Sequence, residues 1–479
     1  MRKMTNLTWV ILATAPSVVV GCSSDPSSDN DAQSTALSVA ACTEAPSRAL
    51  GEQTEFFSPA TTEAAKDQAK ALLKARQFKK AADVMAMQRT PHAAWFSGGT
   101  PAEVRAAVHE TMQQAARRHE VPVLVAYNLP YRDCSQYSAG GAADTAAYKA
   151  WIDGFAAGIG KGKAVVILEP DGLGIIPYNT TIYGSADWCK PTVTDAAGVV
   201  SPAPGANAEE RYAQLNYAVD SIEGLAARAA VYLDASHSGW LGVGEAGYRL
   251  KKAGVVRAQG FFLNVSNYQL TSESIQFGKW VSAALAAAAA GPAWAYDSTG
   301  NFHFDWLPGQ YDPASNYTVV NYNADYVASV DAGLAPFLNG AVASTHFVID
   351  TSRNGRGPLD ATRYGNAPYN QPPAVVAGLK AGNWCNPSGA GVGLRPTAKT
   401  DVSLLDAYLW VKVPGESDGS CDVAGGARAW DFTAYNPWQL ASDAQSHFDP
   451  LWAMVDPQAG AWFPEQALQL AQNANPPLR

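Results

Sequence analysis

The sequence predicts an α/β fold whose parallel sheet curls into a closed or nearly closed barrel. Three observations predict it. Short apolar runs of strand character alternate with stretches of helical length, the pattern of parallel strands joined by helical crossovers. At least six such strands fall within one body of roughly 430 residues, which favours a barrel over an open sheet. Polar and acidic residues follow every strand end, the face on which a parallel barrel builds its site.

In chain order, Arg2 and Lys3 precede the apolar stretch LTWVILATAPSVVVGC. That stretch is too short and broken for a comfortable membrane span and suits an export signal. Its ending, VVGC, resembles a bacterial lipobox, which would make Cys22 the lipidated first residue of the mature chain. An ordinary secretory peptide cut nearby is the alternative. Either reading exports the protein, to the cell surface or beyond. Residues 23–49, opening SSDPSSDNDAQSTALSVAA, form a Ser/Asp/Ala-rich tether without apolar periodicity. Residues 50–479 read as one domain.

Thr100 can cap a helix over 100–119, with Pro101 at its first position and Glu103 completing a capping box. A strand at 121–128 follows. The helix AADTAAYKAWIDGFAAGI feeds the strand KAVVILE, and NAEERYAQLNYAVDSIEGLAAR feeds AAVYLD. Strands AQGFFLNV, STHFVID and SLLDAYLWVKVPG come next, with a helical stretch over 272–290. The strand ends carry Tyr127 and Asp133, then Glu169 and Asp171, then Asp234, Asn264 and Asn267, Asp350 and Arg353, and finally Lys412, Glu416 and Asp418. One acid at a strand end is ordinarily a turn or cap residue; six consecutive ends so furnished indicate a site.

Composition excludes several classes. The net charge is −9 with no dense Lys/Arg run, which argues against nucleic acid. No GxGxxG follows the first strand, and there is neither a P-loop nor a G-x-S-x-G elbow. The seven histidines show no HxH or HExxH spacing, so no metal and no cofactor is expected. Five cysteines follow Cys22; in an oxidising compartment they imply two disulfides, with Cys42 left over beside the tether. Cys134, Cys189, Cys385 and Cys421 allow three connectivities. Trp95, Trp188, Trp240 and Trp384 lie in polar, Gly-rich loops, where core filling explains them poorly. Carboxylates, exposed aromatics and amides together suit glycoside hydrolysis: one acid protonates the leaving oxygen, another assists water, and Trp rings take the C–H faces of sugars.

At these residues the chain resembles glycoside hydrolase family 6, the family of cellobiohydrolase II and endoglucanases. VAYNLPYRDCSQYSAGG (125–141) and VILEPDGLG (166–174) are similar to its two signature regions. YLDASHSGWLG, NVSNY, WCNPSGAGVGLRP and LWVKVPGESDG match its other motifs in the family's order, over roughly residues 50–479. Gly172 departs from the Ser or small apolar residue usual there. The resemblance implies a distorted, partly open (β/α) barrel of about seven strands that hydrolyses β-1,4-glucan with inversion. It implies that Asp171 is the proton donor, that Asp133 keeps the donor protonated and organises water, that Asp418 is the base, and that Asp234 supports the electrostatics. Tyr127 and Arg132 would flank the cleavage point. Trp95, Ser97, His237, Trp240, Asn267, Trp384, Lys412 and Glu416 would contact sugar. The implied disulfides are Cys134–Cys189 and Cys385–Cys421.

The stretches between Cys134 and Cys189 and after Asp418 are long, and unpatterned loops of that size are usually functional. They favour a tunnel and a chain-end, cellobiose-releasing mode over the open cleft of an endoglucanase. The expected partners are cellulose and cello-oligosaccharides, met by a monomer. A silent glucan-binding lipoprotein would not need Asp133, Asp171 and Asp418 together. A metal-dependent deacetylase would want an Asp/His/His set that the sequence lacks.

Overall fold

In the computed structural model, which describes residues 48–310 and 322–479, seven short strands pair in chain order and all run parallel. They are β1 (Ala94–Phe96), β2 (Val123–Ala126), β3 (Ala164–Leu168), β4 (Ala229–Asp234), β5 (Gly260–Leu263), β6 (His346–Asp350) and β7 (Leu405–Leu409). Residues 1–22 with Cys22, most of the tether, and Cys42 lie outside the described residues. Among the described residues no helix is long and apolar enough to cross a membrane.

The strands are apolar throughout because both faces are covered, as in parallel sheets generally. Val123, Val125, Val165, Ile167, Ala230, Tyr232, Phe262 and Val348 fill the barrel interior. Their alternate neighbours, such as Leu124, Val166, Leu168, Val231, Leu233, Phe261 and Ile349, pack outward under the helices.

The expected crossover helices are present. Pro101–Arg118 starts at a Thr100 cap with a complete capping box. Thr145–Ile159 starts at Asp144, and Ala208–Leu225 at Asn207, each side chain accepting a first-turn N–H. Thr271–Ala290 covers the predicted 272–290. Chain pattern missed β1, which is only three residues long and too short for its alternation to register.

The barrel stays open between β7 and β1. One backbone bond spans the seam just beyond both strands, from Ala93 N to Trp410 O (2.9 Å). The indole of Trp95 adds a second link, donating to Val411 O at 2.8 Å.

The stretch from Cys134 to Cys189 holds the expected helix, Thr145–Ile159, and the expected strand β3, so it is two loop segments rather than one long loop. Its irregular parts are the segments after β2 and after β3, and Cys134–Cys189 joins them. Cys385–Cys421 is likewise bonded, so both pairings implied by the resemblance are present. Between Cys421 and the last helix, Pro464–Gln472, the only helix among the described residues is the four-residue Ser442–Gln445.

Candidate active site

The strand ends open onto a cleft of about 320 Å³. Ten predicted residues line it. The carboxylates are Asp133, Asp171 and Asp418; the rings are Trp95, Tyr127, His237, Trp240 and Trp384; Asn267 and Lys412 complete the set. Trp188, singled out from its polar loop context, lines it too and is half exposed. Gln136, Ser138 and Ser266 also face it; they lie within the motifs 125–141 and NVSNY, but the sequence reading gives them no individual role.

Four predicted residues stand outside the cleft wall. Asp234 is buried behind it. Its Oδ2 accepts from Leu173 N and Gly174 N, both at 3.0 Å, and Oδ1 accepts from Ser236 N at 2.7 Å. It thereby anchors the turn that carries Asp171. Arg132 lies over the Tyr127 ring at 4.3 Å and donates to the carbonyls of Tyr127 and exposed Ser97. It props the cleft wall from outside. Glu416 is half-buried, and its backbone bridges to Trp462.

The turn after β3 explains its paired acids. Glu169 and Asp171 both take left-handed backbone, φ 56° and 61°. Such strained positions cluster at functional sites. They turn the two carboxylates opposite ways. Glu169 is buried and accepts from Asn128 N (2.8 Å) and Leu129 N (3.1 Å), tying the loop after β2 to the loop after β3. Asp171 faces the cleft. Gly172 between Asp171 and Leu173 is required by close approach: a Cβ would lie 2.7 Å from Glu169 O and 2.9 Å from Leu129 Cδ1.

Two buried arginines complete the support. Arg211 Nη1 donates to the carbonyls of Gly172 and Ile175, both at 2.8 Å, and Nη2 to Pro130 O at 3.0 Å. Arg249 Nη1 donates to Leu173 O at 2.7 Å, while Nε binds Glu245 Oε1 at 2.6 Å. Sequence reading missed both.

The carboxylates differ in proton affinity. Asp171 is held well above the ordinary carboxylate range, by burial first, then by the charges of Asp234, Asp133 and Asp418. Asp133 therefore ranks below burial and Asp234 as the reason that Asp171 keeps its proton. Asp133 is itself raised to about 6 by burial, although Ser138 N donates to its Oδ2 at 2.9 Å. Asp234 is raised to about 6, again by burial. Asp418 goes the other way. Burial would raise it, but Arg353 and Lys412 outweigh burial and hold it below the usual value. Arg353 Nη1 sits 2.8 Å from Asp418 Oδ2, and Lys412 Nζ 3.6 Å from Oδ1.

His237 is lowered to about 3 by burial and is therefore neutral at mild pH. Gly239 N donates to its Nδ1 at 3.1 Å, which leaves Nε2 carrying the hydrogen. The cleft thus holds a neutral acid in Asp171, an ionised carboxylate in Asp418, a third carboxyl in Asp133, a neutral imidazole donor and several aromatic platforms.

A family model, glycosyl hydrolases family 6, matches residues 51–474. The chain belongs to this family. Endoglucanase A of Thermobispora bispora is 30% identical over 336 residues, 70% of this chain and 52% of that one, so the chain spans about half of that relative's length. The 1,4-beta-D-glucan cellobiohydrolase C of Emericella nidulans is 28% identical over 370 residues, 74% of this chain and 61% of that one. Among solved structures, an endoglucanase from Mycobacterium tuberculosis is 29% identical. It superposes with a TM-score of 0.54, covering 88% of this chain and 97% of that one. That structure is a complex with methyl-cellobiosyl-4-deoxy-4-thio-β-D-cellobioside. The half-open seven-stranded barrel of this chain is the family 6 fold.

Proposed function

We propose that this protein hydrolyses β-1,4-glucosidic bonds of cellulose and cello-oligosaccharides with inversion, working from chain ends and releasing cellobiose. The observation that carries the hydrolysis is the divergence of Asp171 and Asp418 within one cleft. Environments that push two carboxyl groups apart in proton affinity assign them as acid and base. Asp171, protonated, donates to the glycosidic oxygen as the bond breaks. Asp418, ionised against Arg353 and Lys412, takes a proton from the attacking water, directly or through intervening waters. Asp133, beside Asp171, orders water and adds to its proton affinity. Asp234 holds the turn and contributes charge. Sugar rings would lie on Trp95, Trp240 and Trp384, with Asn267, Lys412 and the His237 Nε2–H meeting hydroxyls.

The chain-end mode is supported by a contact between two loops beside the cleft, the loop after β2, whose Gln136 and Ser138 line it, and the loop after Cys421. The ring of Tyr137, after β2, presses on Gly425: a Cβ there would lie 2.1 Å from the tyrosine hydroxyl. Tyr137 also packs on Trp384, ring centroids 6.1 Å apart. Loops in contact roof a cleft, and a roofed cleft must be threaded from an end. Viscosity of carboxymethylcellulose, followed against reducing sugar, tests the mode. A chain-end enzyme lowers viscosity slowly; collapse of viscosity within the first few percent of hydrolysis identifies an endoglucanase.

A further inference from the structure

Behind Asp418, on the side away from the cleft, lies a buried polar cluster centred on Asn386. Its backbone N donates to Asp418 Oδ2 at 3.0 Å, and its Oδ1 accepts from Asp418 N at 2.9 Å. The asparagine thus grips both the main chain and the carboxylate of Asp418. Asn386 is gripped in turn. Nδ2 reaches Asp456 Oδ2 and Ser417 Oγ, both at 2.9 Å, and its own carbonyl accepts from Trp452 Nε1 at 2.6 Å. Its backbone is left-handed, φ 36°, a conformation that stands only where the surroundings over-determine it.

Asp456 and Asp449 form the far end of the cluster. Asp449 Oδ1 accepts from Arg428 Nε at 2.9 Å and Leu451 N at 2.8 Å. Asp449 Oδ2 and Asp456 Oδ1 are buried and meet no donor. Two buried carboxyl oxygens cannot face one another bare; one proton between them satisfies both. The charged and titratable groups facing Asp456 are Asp449 and Arg428. One cation, one carboxylate and one neutral acid leave the cluster without net charge. Ionising Asp456 would add an unpaired buried charge.

The geometry points to Asn386 as the positioning residue of Asp418, held in place by a carboxylic acid at Asp456 that shares its proton with Asp449. This rests on Asp418 acting as the base. Consistently, burial and then Asp449 raise Asp456 to about 9, so the shared proton persists at mild pH. The folded state binds that proton more tightly than the unfolded chain, whose Asp titrates near ~3.9. The contribution to stability is therefore full below that value and is lost as pH rises toward 9.

Three variants test the inference on the full chain. Asp456→Asn reproduces the neutral acid, with an amide N–H toward Asp449 and an oxygen toward Asn386. It is expected to keep kcat on cellohexaose within about 3-fold of wild type and to flatten the fall of Tm between pH 5 and 9. Asp456→Ala removes the Asp456 acceptor of Asn386 Nδ2, leaving only Ser417 Oγ and Gly419 O to hold that amide, and is expected to lose about 10-fold in kcat. Asn386→Ala is expected to lose about 10²-fold in kcat with KM within about 3-fold, since a misplaced base hurts turnover and spares binding. The idea fails if Asp456→Asn keeps the wild-type Tm–pH slope, if it loses kcat as Asp456→Ala does, or if folded Asn386→Ala keeps wild-type kcat. The Tm series needs no turnover, so it decides the shared proton even if wild type proves inactive on glucan. Such inactivity would overturn the glucanase reading and leave the proton assignment standing on its own result.

Discussion

Arg353 and Asp418 are 65 positions apart in sequence, yet Arg353 Nη1 lies 2.8 Å from Asp418 Oδ2 and both side chains are buried. Tyr268 covers the pair: its hydroxyl donates to Asp418 Oδ2 at 3.3 Å, and the guanidinium sits 4.4 Å from its ring. A carboxylate so held stays ionised inside a barrel.

Removing the arginine should therefore cost stability and shift a proton. Arg353→Met leaves Asp418 buried with Lys412 as its remaining cationic partner, and breaking a buried pair costs about 3–5 kcal/mol. The folded-state affinity of Asp418 for a proton is lowered in wild type, so its contribution is present above the unfolded value and lost as pH falls. In the variant the acid limb of kcat should move to higher pH. Urea titration and a pH–rate profile check both parts.

Asp171→Asn should keep fold and ligand binding while losing about 10²–10⁴-fold in kcat, the usual worth of general acid catalysis. A substrate with a good leaving group should suffer less, because it needs less protonation. Near-wild-type turnover of cellulose by this variant would sink the acid assignment.

The proton affinity of Asp171 gives a ranked prediction. Above pH 6, Asp234 is ionised, and its charge ranks ahead of Asp133 among the causes that raise Asp171. Both Asp234→Asn and Asp133→Asn should move the alkaline limb of kcat/KM to lower pH, because each removes a negative neighbour. The shift should be larger for Asp234→Asn. Equal shifts, or none, would count against electrostatic support from Asp234.

Replacing Cys134 and Cys189 together by serine should lower stability by about 2–4 kcal/mol. It should also reduce kcat, since Cys134 adjoins Asp133 at left-handed backbone, φ 45° and 56°. Mass mapping of wild-type protein expressed in an oxidising periplasm should recover both bonded pairs, with Cys42 free. Calorimetry and single-turnover rates check the double variant.

The roof can be opened without touching the carboxylates. Tyr137→Ala removes the ring over Gly425 while leaving Asp418, Cys421 and the buried Arg428–Asp449 pair in place. The product ratio should then shift toward internal cuts, and viscosity should fall faster per reducing end. An unchanged ratio would mean that Tyr137 and Gly425 do not limit access.

By itself the sequence determined the α/β alternation, six of the seven strands, the Thr100 capping box and the gathering of acids at strand ends. It also carried the motifs that place the chain in its family. These are local properties: apolar runs buried on two faces and turn residues at fixed offsets leave their mark on neighbouring positions. Tertiary structure alone decided which acids face the cleft and how tightly each holds its proton. Glu169 and Asp171 look interchangeable in VVILEPDGLG, and only the backbone handedness after β3 sends one to two buried N–H groups and the other to the cleft. Arg211 was legible in principle, since it shares a helical register with Leu215, Ala218 and Ile222 on a buried face. Its carbonyl partners on the loops after β2 and β3 were not legible, because they come from elsewhere in the chain. The same holds for Asn386, Asp449 and Asp456. Proton affinity is set by through-space distance and burial, and a sequence records neither until the chain has closed on itself.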